Sequence, residues 1–399
     1  MTGETILIIG SEPWEHWRQT HNIAHIWARE NKVIFVDTDI RYENLRGDKG
    51  RFHYLKLFWN QEIKWVTKNL AVLQTPPMLP VAISLLSRFC GKQIHNFSIK
   101  ISKVLQSKII FRKLKKLGLS PTVLSIWKPF DLIFAGRMKE NVACWHLFDE
   151  VSRFPGNKPI ADFIEEIERK NIKRVQLVFA ASQKLYDNKK NFHPNVHLIP
   201  NAGDFKMFNA ALTDELSEPE DLKAIPHPRI VLIGALGWDI DYDLLSYVAD
   251  LHPEYSIIMI GLVRSSGEEG VRALIKRSNI FSLGYKPQPQ LPAYLKYCDV
   301  GLMPYKILGS IIDGYPLKMH EYLATGLPVV STPQPAVLPF SNVISIADNK
   351  AEFVQLIEKA LTNNSPEKIA ERVVVARENS WERRLAEMEV LIDCLIYRG

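Results

Sequence analysis

Short β-branched and aliphatic runs alternate with helix-period segments along nearly all 399 residues, in two sets separated by a polar, irregular stretch. That alternation is the sequence form of a parallel sheet wrapped by helices. In the first set the pattern predicts strands at 5–9, 33–36, 70–73, 123–127, 142–148, 177–181 and 196–199, with helices near 17–30, 94–117 and 160–174. In the second it predicts strands at 230–234, 256–260, 280–283, 300–304, 328–331 and 343–346, helices between them, and a closing helix over Trp381–Ile396. At roughly 150 residues per domain, the length also asks for two domains. The expected organisation is a first α/β domain over 1–205, a linker over 206–228, a second α/β domain over 229–380, and a C-terminal helix, 381–399, packing toward the first domain.

Two Rossmann-like units of this kind collect ligands at the carboxyl ends of their strands, so the expected active site is a cleft between them. Several chemistries fail on residue type. After the first strand the chain reads Ile9-Gly10-Ser11-Glu12, with no G-x-G-x-x-G, and Glu12 would repel a pyrophosphate there. A P-loop Gly-Lys-Ser/Thr and a G-x-S-x-G elbow are both absent. His21 and His25 share a helix face without a third ligand in reach, and Cys90, Cys144, Cys298 and Cys394 are too dispersed for a zinc or redox site, so no metal is expected.

With 46% hydrophobic and 24% charged residues the chain is globular; no apolar run approaches the roughly 18 residues of a span, and the N-terminus lacks signal-peptide character. A cytoplasmic location is expected. The net charge of +6 is uneven: between Glu62 and Asp131 there are twelve Lys and Arg and no acid, leaving the remainder at −6. Within that region Lys108, Arg112, Lys115 and Lys116 fall on one helical face, opposite Ile110, Phe111, Leu114 and Leu117, before Gly118 as a stop. The stripe suits an anionic membrane surface, a solvated helix face being the alternative; nucleic acid is disfavoured because no recognised motif accompanies it. Attachment to the inner face of the cell membrane is therefore expected.

The densest constellation spans 313–330. Asp313 precedes a helix whose first position is Pro316, Glu321 lies inside it, and Gly326 ends it before a strand. A helix N-terminus can take phosphate while the acids accept from sugar hydroxyls, which is a site for a nucleotide sugar. A surface Lys318 to Glu321 ion pair at i, i+3 is the competing reading.

Asp313-x7-Glu321, with Pro316-Leu317-Lys318 and the run Glu321-Tyr322-Leu323-Ala324-Thr325-Gly326-Leu327-Pro328, resembles the E-x7-E signature of retaining GT-B glycosyltransferases, family 4 and its relatives. Ile199-Pro200-Asn201-Ala202-Gly203-Asp204 with Phe208, Gly284-Tyr285, and Asp299-Val300-Gly301-Leu302-Met303-Pro304-Tyr305 are similar to further family segments, most nearly of the bacterial teichuronic acid and capsule type.

The resemblance implies a GT-B α/β fold, two facing Rossmann-like domains with the C-terminal helix crossing back. It implies transfer of a sugar from a nucleoside diphosphate sugar to a lipid-linked or polysaccharide hydroxyl, with the retention that is the family habit, in surface polysaccharide biosynthesis and without a further cofactor. Glu321 would bind ribose, Asp313 the donor sugar, and the backbone of Gly314, Tyr315, Pro316 and Leu317 the diphosphate. Gly284, Tyr285 and Lys286 would lie near the base. The loop Gly234-Ala235-Leu236-Gly237-Trp238-Asp239-Ile240-Asp241 carries acids where the family has cations, so Lys318 and Arg264 are the expected replacements.

On the acceptor side His146 and Asp149, at the end of a strand with Glu150, are candidate catalytic groups, Asp149 equally a cap; Trp14, Arg18 and His21 are further candidates. A nucleotide-sugar epimerase on the same fold would turn over donor without acceptor, and a non-catalytic scaffold subunit would not bind donor at all.

Overall fold

A computed structural model describes residues 1–10, 14, 19–37, 63–75, 92–148, 161–307 and 315–397. The chain divides into two compact units, Met1–Pro200 with Leu385–Gly399, and Asn201–Arg384.

The first unit holds β1 (Thr5–Ile9), β2 (Lys32–Asp37), β3 (Ile63–Trp65), β4 (Leu70–Gln74), β5 (Val123–Ile126), β6 (Val142–Leu147), β7 (Leu177–Ala180) and β8 (Val196–Leu198), in the order β3-β4-β2-β1-β5-β6-β7-β8. All neighbours are parallel except β3, which lies antiparallel on β4 at the edge and was not predicted. Its residues Lys64 and Trp65 are exposed, so no apolar run announces it. The strand order reverses between β1 and β5, which stay parallel, the switch point of a doubly wound sheet. Strands such as β1 and β6 are buried almost throughout because helices cover both faces.

The helix Lys92–Lys116 packs Ile110 and Leu114 into this core, and Lys103 reaches Asp131 at 2.6 Å with both side chains buried. It ends as expected: Gly118 has φ +67° and Leu119 N–H donates to Leu114 O. The Met1 ammonium pairs with Asp393 at 3.0 Å and Glu389 at 3.7 Å, so the end of the last helix, Trp381–Ile396, belongs with this unit.

The second unit holds β9 (Arg229–Ile233), β10 (Ser256–Ile260), β11 (Ile280–Gly284), β12 (Val300–Met303), β13 (Val329–Ser331) and β14 (Ser345–Ile346), all parallel, in the order β11-β10-β9-β12-β13-β14. Its switch point lies between β9 and β12. The expected linker is instead structured: helices Phe205–Thr213 and Glu220–Lys223 form there, and Phe208 and Leu222 are fully buried in the second core. The polar residues that suggested a linker are caps and surface positions, Asp204 accepting from Met207 N–H at 3.0 Å.

One side chain organises the second switch point. β9 and β12 pair only at Ile230–Val300 and Val231–Gly301. Beyond that, the buried Tyr322 of helix Leu317–Ala324 inserts its hydroxyl, accepting from Ile233 N–H at 2.8 Å and lying 3.2 Å from Val231 O and 3.4 Å from Leu302 O. Its ring lies against Gly301, where a Cβ would stand 2.9 Å from the ring carbons. The hydroxyl thus replaces ladder bonds where the two strands diverge. Tyr322→Phe leaves Ile233 N–H without its partner in the core, and an unmade buried hydrogen bond costs about 1–3 kcal/mol, to be read from urea unfolding followed by fluorescence.

Candidate donor site

Because Tyr322 fixes helix Leu317–Ala324 at the switch point, the first turn of that helix stands at the carboxyl end of β9. The helix begins at Leu317, with Pro316 as the preceding cap residue. Lys318 Nζ lies 2.7 Å from where a Cβ on Gly234 would be, and 4.9 Å from the centroid of the Tyr305 ring. Gly234 has φ +113°, a conformation closed to other residues, and any side chain there would meet Lys318. The ammonium is therefore held over a glycine at the strand end, beside a helix N-terminus, and that arrangement suits an anion.

Glu321, one turn further along, is partly buried and accepts from Gln288 Nε2 at 2.8 Å. Among the described residues no ion pair joins it to Lys318, so the surface i, i+3 pair is not what holds either group. Burial pushes its carboxyl up to about 7, against the help of Gln288 and the Lys318 charge, with Asp204 adding repulsion. A carboxylate placed where water is scarce gains from hydroxyl donors that a ligand would bring. Tyr315 Oη lies 2.8 Å from His320 Nε2, and the buried His320 ring is held neutral, its pKa lowered to about 3 by burial and by Arg384. The segment Asn201–Asp204 abuts this helix through Gly203, which accepts from Trp381 N–H and donates to Asn379 O.

One acid of the 234–241 loop has structural work: Asp241 caps the helix Tyr242–Leu251, accepting from Leu244 N–H at 2.9 Å, while the backbone carbonyl of Asp239 accepts from Lys306 N–H. Arg264 is exposed, with its Cδ 3.5 Å from the Cβ position of Gly237, so it lies along this loop. Gly284 closes β11 with φ +67° and Tyr285 is exposed. Lys286 differs from expectation: it pairs with Asp221 at 2.6 Å, and Tyr294 Oη donates to the same carboxylate. That pair tacks the strand end to helix Glu220–Lys223 and leaves Lys286 turned to a structural task. Asp313 and Gly314 lie outside the described residues.

Residues 227–363 match the family described as Glycosyl transferases group 1. That match lies wholly within the second unit. Over 227 residues, 55% of this chain, the sequence is 25% identical to a protein of Bacillus subtilis (strain 168) named as the teichuronic acid biosynthesis glycosyltransferase TuaH; the match spans 57% of that protein, little more than half its length. Solved structures agree in fold. The E. coli trehalose-6-phosphate structure bound with UDP-2-fluoro glucose is 13% identical at a TM-score of 0.66, covering 97% of this chain and 99% of that one. The UDP-forming trehalose-phosphate synthase of Burkholderia xenovorans is 11% identical at 0.70, covering 99% of each. The fold is GT-B. Gln288 and Tyr305 join the candidate site as the neighbours of Glu321 and Lys318; Gln288 carries no motif, and Tyr305 ends a family-like run without being singled out.

In the first unit the carboxyl ends of the strands carry aromatic rings. The Trp14 ring lies 4.9 Å from both His21 and Phe35, and the Trp14 backbone N–H donates to the Asp37 carboxylate at 3.3 Å. His21 is buried and stacks on Phe35 at 5.1 Å, so it packs the strand end. His146 departs from the catalytic role expected of it. It is fully buried, stacks on Trp127 at 4.1 Å with 3° between planes, and its Nε2 lies 3.0 Å from Ser125 Oγ; burial lowers its pKa to about 3. Every position of β6 is buried, so neither face of this strand leaves His146 open to a ligand. Arg18, Asp149 and Glu150 lie outside the described residues. Asp37 was missed, although an acid closing a predicted strand end was visible in the sequence.

The basic region is partly compensated: Lys103 is paired with Asp131 and Lys100 lies 3.7 Å from Glu166. Lys108, Arg112, Lys115 and Lys116 are exposed as expected, while Leu117, beyond the last helical residue, is exposed rather than packed. The same stripe continues upward through exposed Phe97, Ile101 and Leu105. No described helix is long and apolar enough to cross a membrane, and no cluster of three or more metal-ligating side chains occurs among the described residues. Cys144, Cys298 and Cys394 are free.

Glu321 gives the ligand-free protein a pH signature. Its folded pKa, about 7, exceeds its ordinary 4.5, so the unfolded chain releases the proton first. Between those values the folded state binds more protons, and stability falls as pH rises. In Glu321→Gln that decline should flatten, measured as the difference between wild-type and variant unfolding free energies from pH 4.5 to 7; parallel curves would place the titration elsewhere.

Proposed function

We propose that this chain is a glycosyltransferase that binds a nucleoside diphosphate sugar at the carboxyl end of its second sheet and passes the sugar to a hydroxyl of a lipid-linked or polysaccharide acceptor, with retention. The observation that carries this reading is Lys318 held over Gly234 at the helix N-terminus, one turn from the partly buried Glu321. In the reaction the bond from the anomeric carbon to the diphosphate oxygen breaks and one to the acceptor oxygen forms. The acceptor proton passes to the departing diphosphate. Lys318 and the helix N-terminus stabilise the negative charge that grows there, as preorganised positive groups do. Glu321 accepts from the ribose hydroxyls, while Asp313 toward the sugar and Asp149 toward the acceptor keep the roles that the sequence alone assigns them. With those positive groups in place the transfer proceeds without a metal or cofactor beyond the sugar nucleotide itself. The name of the Bacillus relative supports a place in surface polysaccharide synthesis.

Lys318→Ala should weaken a nucleoside diphosphate by roughly tenfold or more, the size of a lost charge-assisted hydrogen bond, and the free nucleoside far less. Calorimetry with both ligands, after a thermal-shift screen of UDP, GDP, ADP and CMP sugars to find the base, reads the contrast. Equal losses for the two ligands would remove the phosphate role.

The exposed stripe of helix Lys92–Lys116 suits the inner face of the cell membrane, where such an acceptor resides. Phe97, Ile101 and Leu105 would enter the interface, and Lys108, Arg112, Lys115 and Lys116 would meet anionic headgroups at about 1 kcal/mol each. Wild type should sediment with anionic vesicles at low salt. A variant with those four cations changed to Glu, and another with Phe97, Ile101 and Leu105 changed to Ser, should both stay in the supernatant; if either binds as wild type does, the stripe is a solvated face.

A further inference from the structure

Where the strands of the second sheet begin, on the edge opposite the donor site, a cavity of about 190 Å³ lies between the start of β13, the 341–345 segment, and the helices Lys350–Thr362 and Pro366–Glu378. Lys359, Lys368 and Arg372 line it, with Glu371 as the one acid. Arg372 is only 5% exposed. Its Nε donates to Gly326 O at 2.9 Å and an Nη to Asn364 Oδ1, both neutral acceptors. Lys368 reaches only the carbonyl of Asn363, at 3.3 Å. Among the described residues no ion pair involves any of these three cations.

Arg229 supplies the comparison within the same unit. It is equally buried, yet Glu218 meets it at 2.6 Å and three carbonyls take its remaining donors. Buried charges are ordinarily paired, and Arg372 departs from that rule while facing a cavity. Its bond to Gly326 O caps the end of helix Leu317–Ala324, but a helix C-terminus offers only about half a charge and leaves the two lysines unexplained. Ser341, Asn342 and Ser345 add donors around the same space.

We infer that this cavity is a second anion site, taking a phosphate group, with the Arg372 guanidinium at its base and Lys359 and Lys368 at its rim. A planar guanidinium with free donor capacity and two flanking ammonium groups is the pairing that phosphate oxygens favour. The site is independent of the donor reading, since none of its residues touches Lys318 or Glu321.

The full chain is titrated with inorganic phosphate, and separately with a phosphate monoester, against chloride at matched ionic strength, by calorimetry and thermal shift. The expected result is a phosphate-specific stabilisation that Lys318→Ala retains and that Lys359→Ala with Lys368→Ala weakens roughly tenfold, nucleoside diphosphate binding being unchanged in the double variant. A stronger response to the monoester than to inorganic phosphate points to a phosphorylated small molecule as the occupant, and an equal response to free phosphate. The proposal is overturned if phosphate acts no better than chloride, if the double variant responds as wild type does, or if Lys318→Ala abolishes the response and so assigns it to the donor site.

Discussion

The Tyr322 hydroxyl is the constraint on which the second unit turns. A doubly wound sheet opens a crevice where its strand order reverses, but the diverging strands leave peptide groups without ladder partners. Here a phenol from the following helix satisfies them, and the small Gly301 gives its ring room. The same residue therefore settles two matters at once: the core is hydrogen-bonded, and the helix carrying Lys318 and Glu321 is fixed relative to the end of β9. Precision at a binding site is inherited here from a buried, fully used side chain one position beyond Glu321.

Charge in this protein is best understood by where water has been removed. Lys103 with Asp131, and Arg229 with Glu218, are buried cations that carry their counterions with them. Asp241, which looked like a misplaced acid in a phosphate loop, is occupied as a helix cap. Lys286 is neutralised by Asp221. What stands apart are the cations outside any ion pair, Lys318 over Gly234 and the group around Arg372 with Glu371 as its one acid, and the carboxylate of Glu321, hydrogen-bonded to a neutral amide with the Lys318 charge nearby.

The histidines show how local pattern and tertiary setting diverge. His146 and His320 both lie near strand or helix ends where a binding group is plausible, and both are buried, neutral and engaged with Ser125 and Tyr315 respectively. Imidazole suits a catalytic role and an aromatic core equally well, and only the number of elements packed around it decides. The basic helix makes the converse point: Lys108, Arg112, Lys115 and Lys116 follow from periodicity, whereas the exposure of Phe97, Ile101 and Leu105 on the same stripe does not, since apolar residues at helical spacing ordinarily imply a covered face.

The sequence by itself determined the two α/β sets, nearly every parallel strand, the glycine stop of the basic helix and the segment around Glu321, because period, β-branching and turn chemistry are local properties. It did not determine that 206–228 would fold into the second unit, since short helices capped by Asp204 and anchored by Phe208 and Leu222 read as polar linker until their few apolar residues find a core. Nor did it mark β3, whose place is granted by a neighbouring strand's free edge. Gln288 against Glu321, Tyr305 beneath Lys318 and the unpaired setting of Arg372 were decided only in three dimensions. Each depends on which distant segments share a space closed to water, and on whether the charge left there has met its opposite.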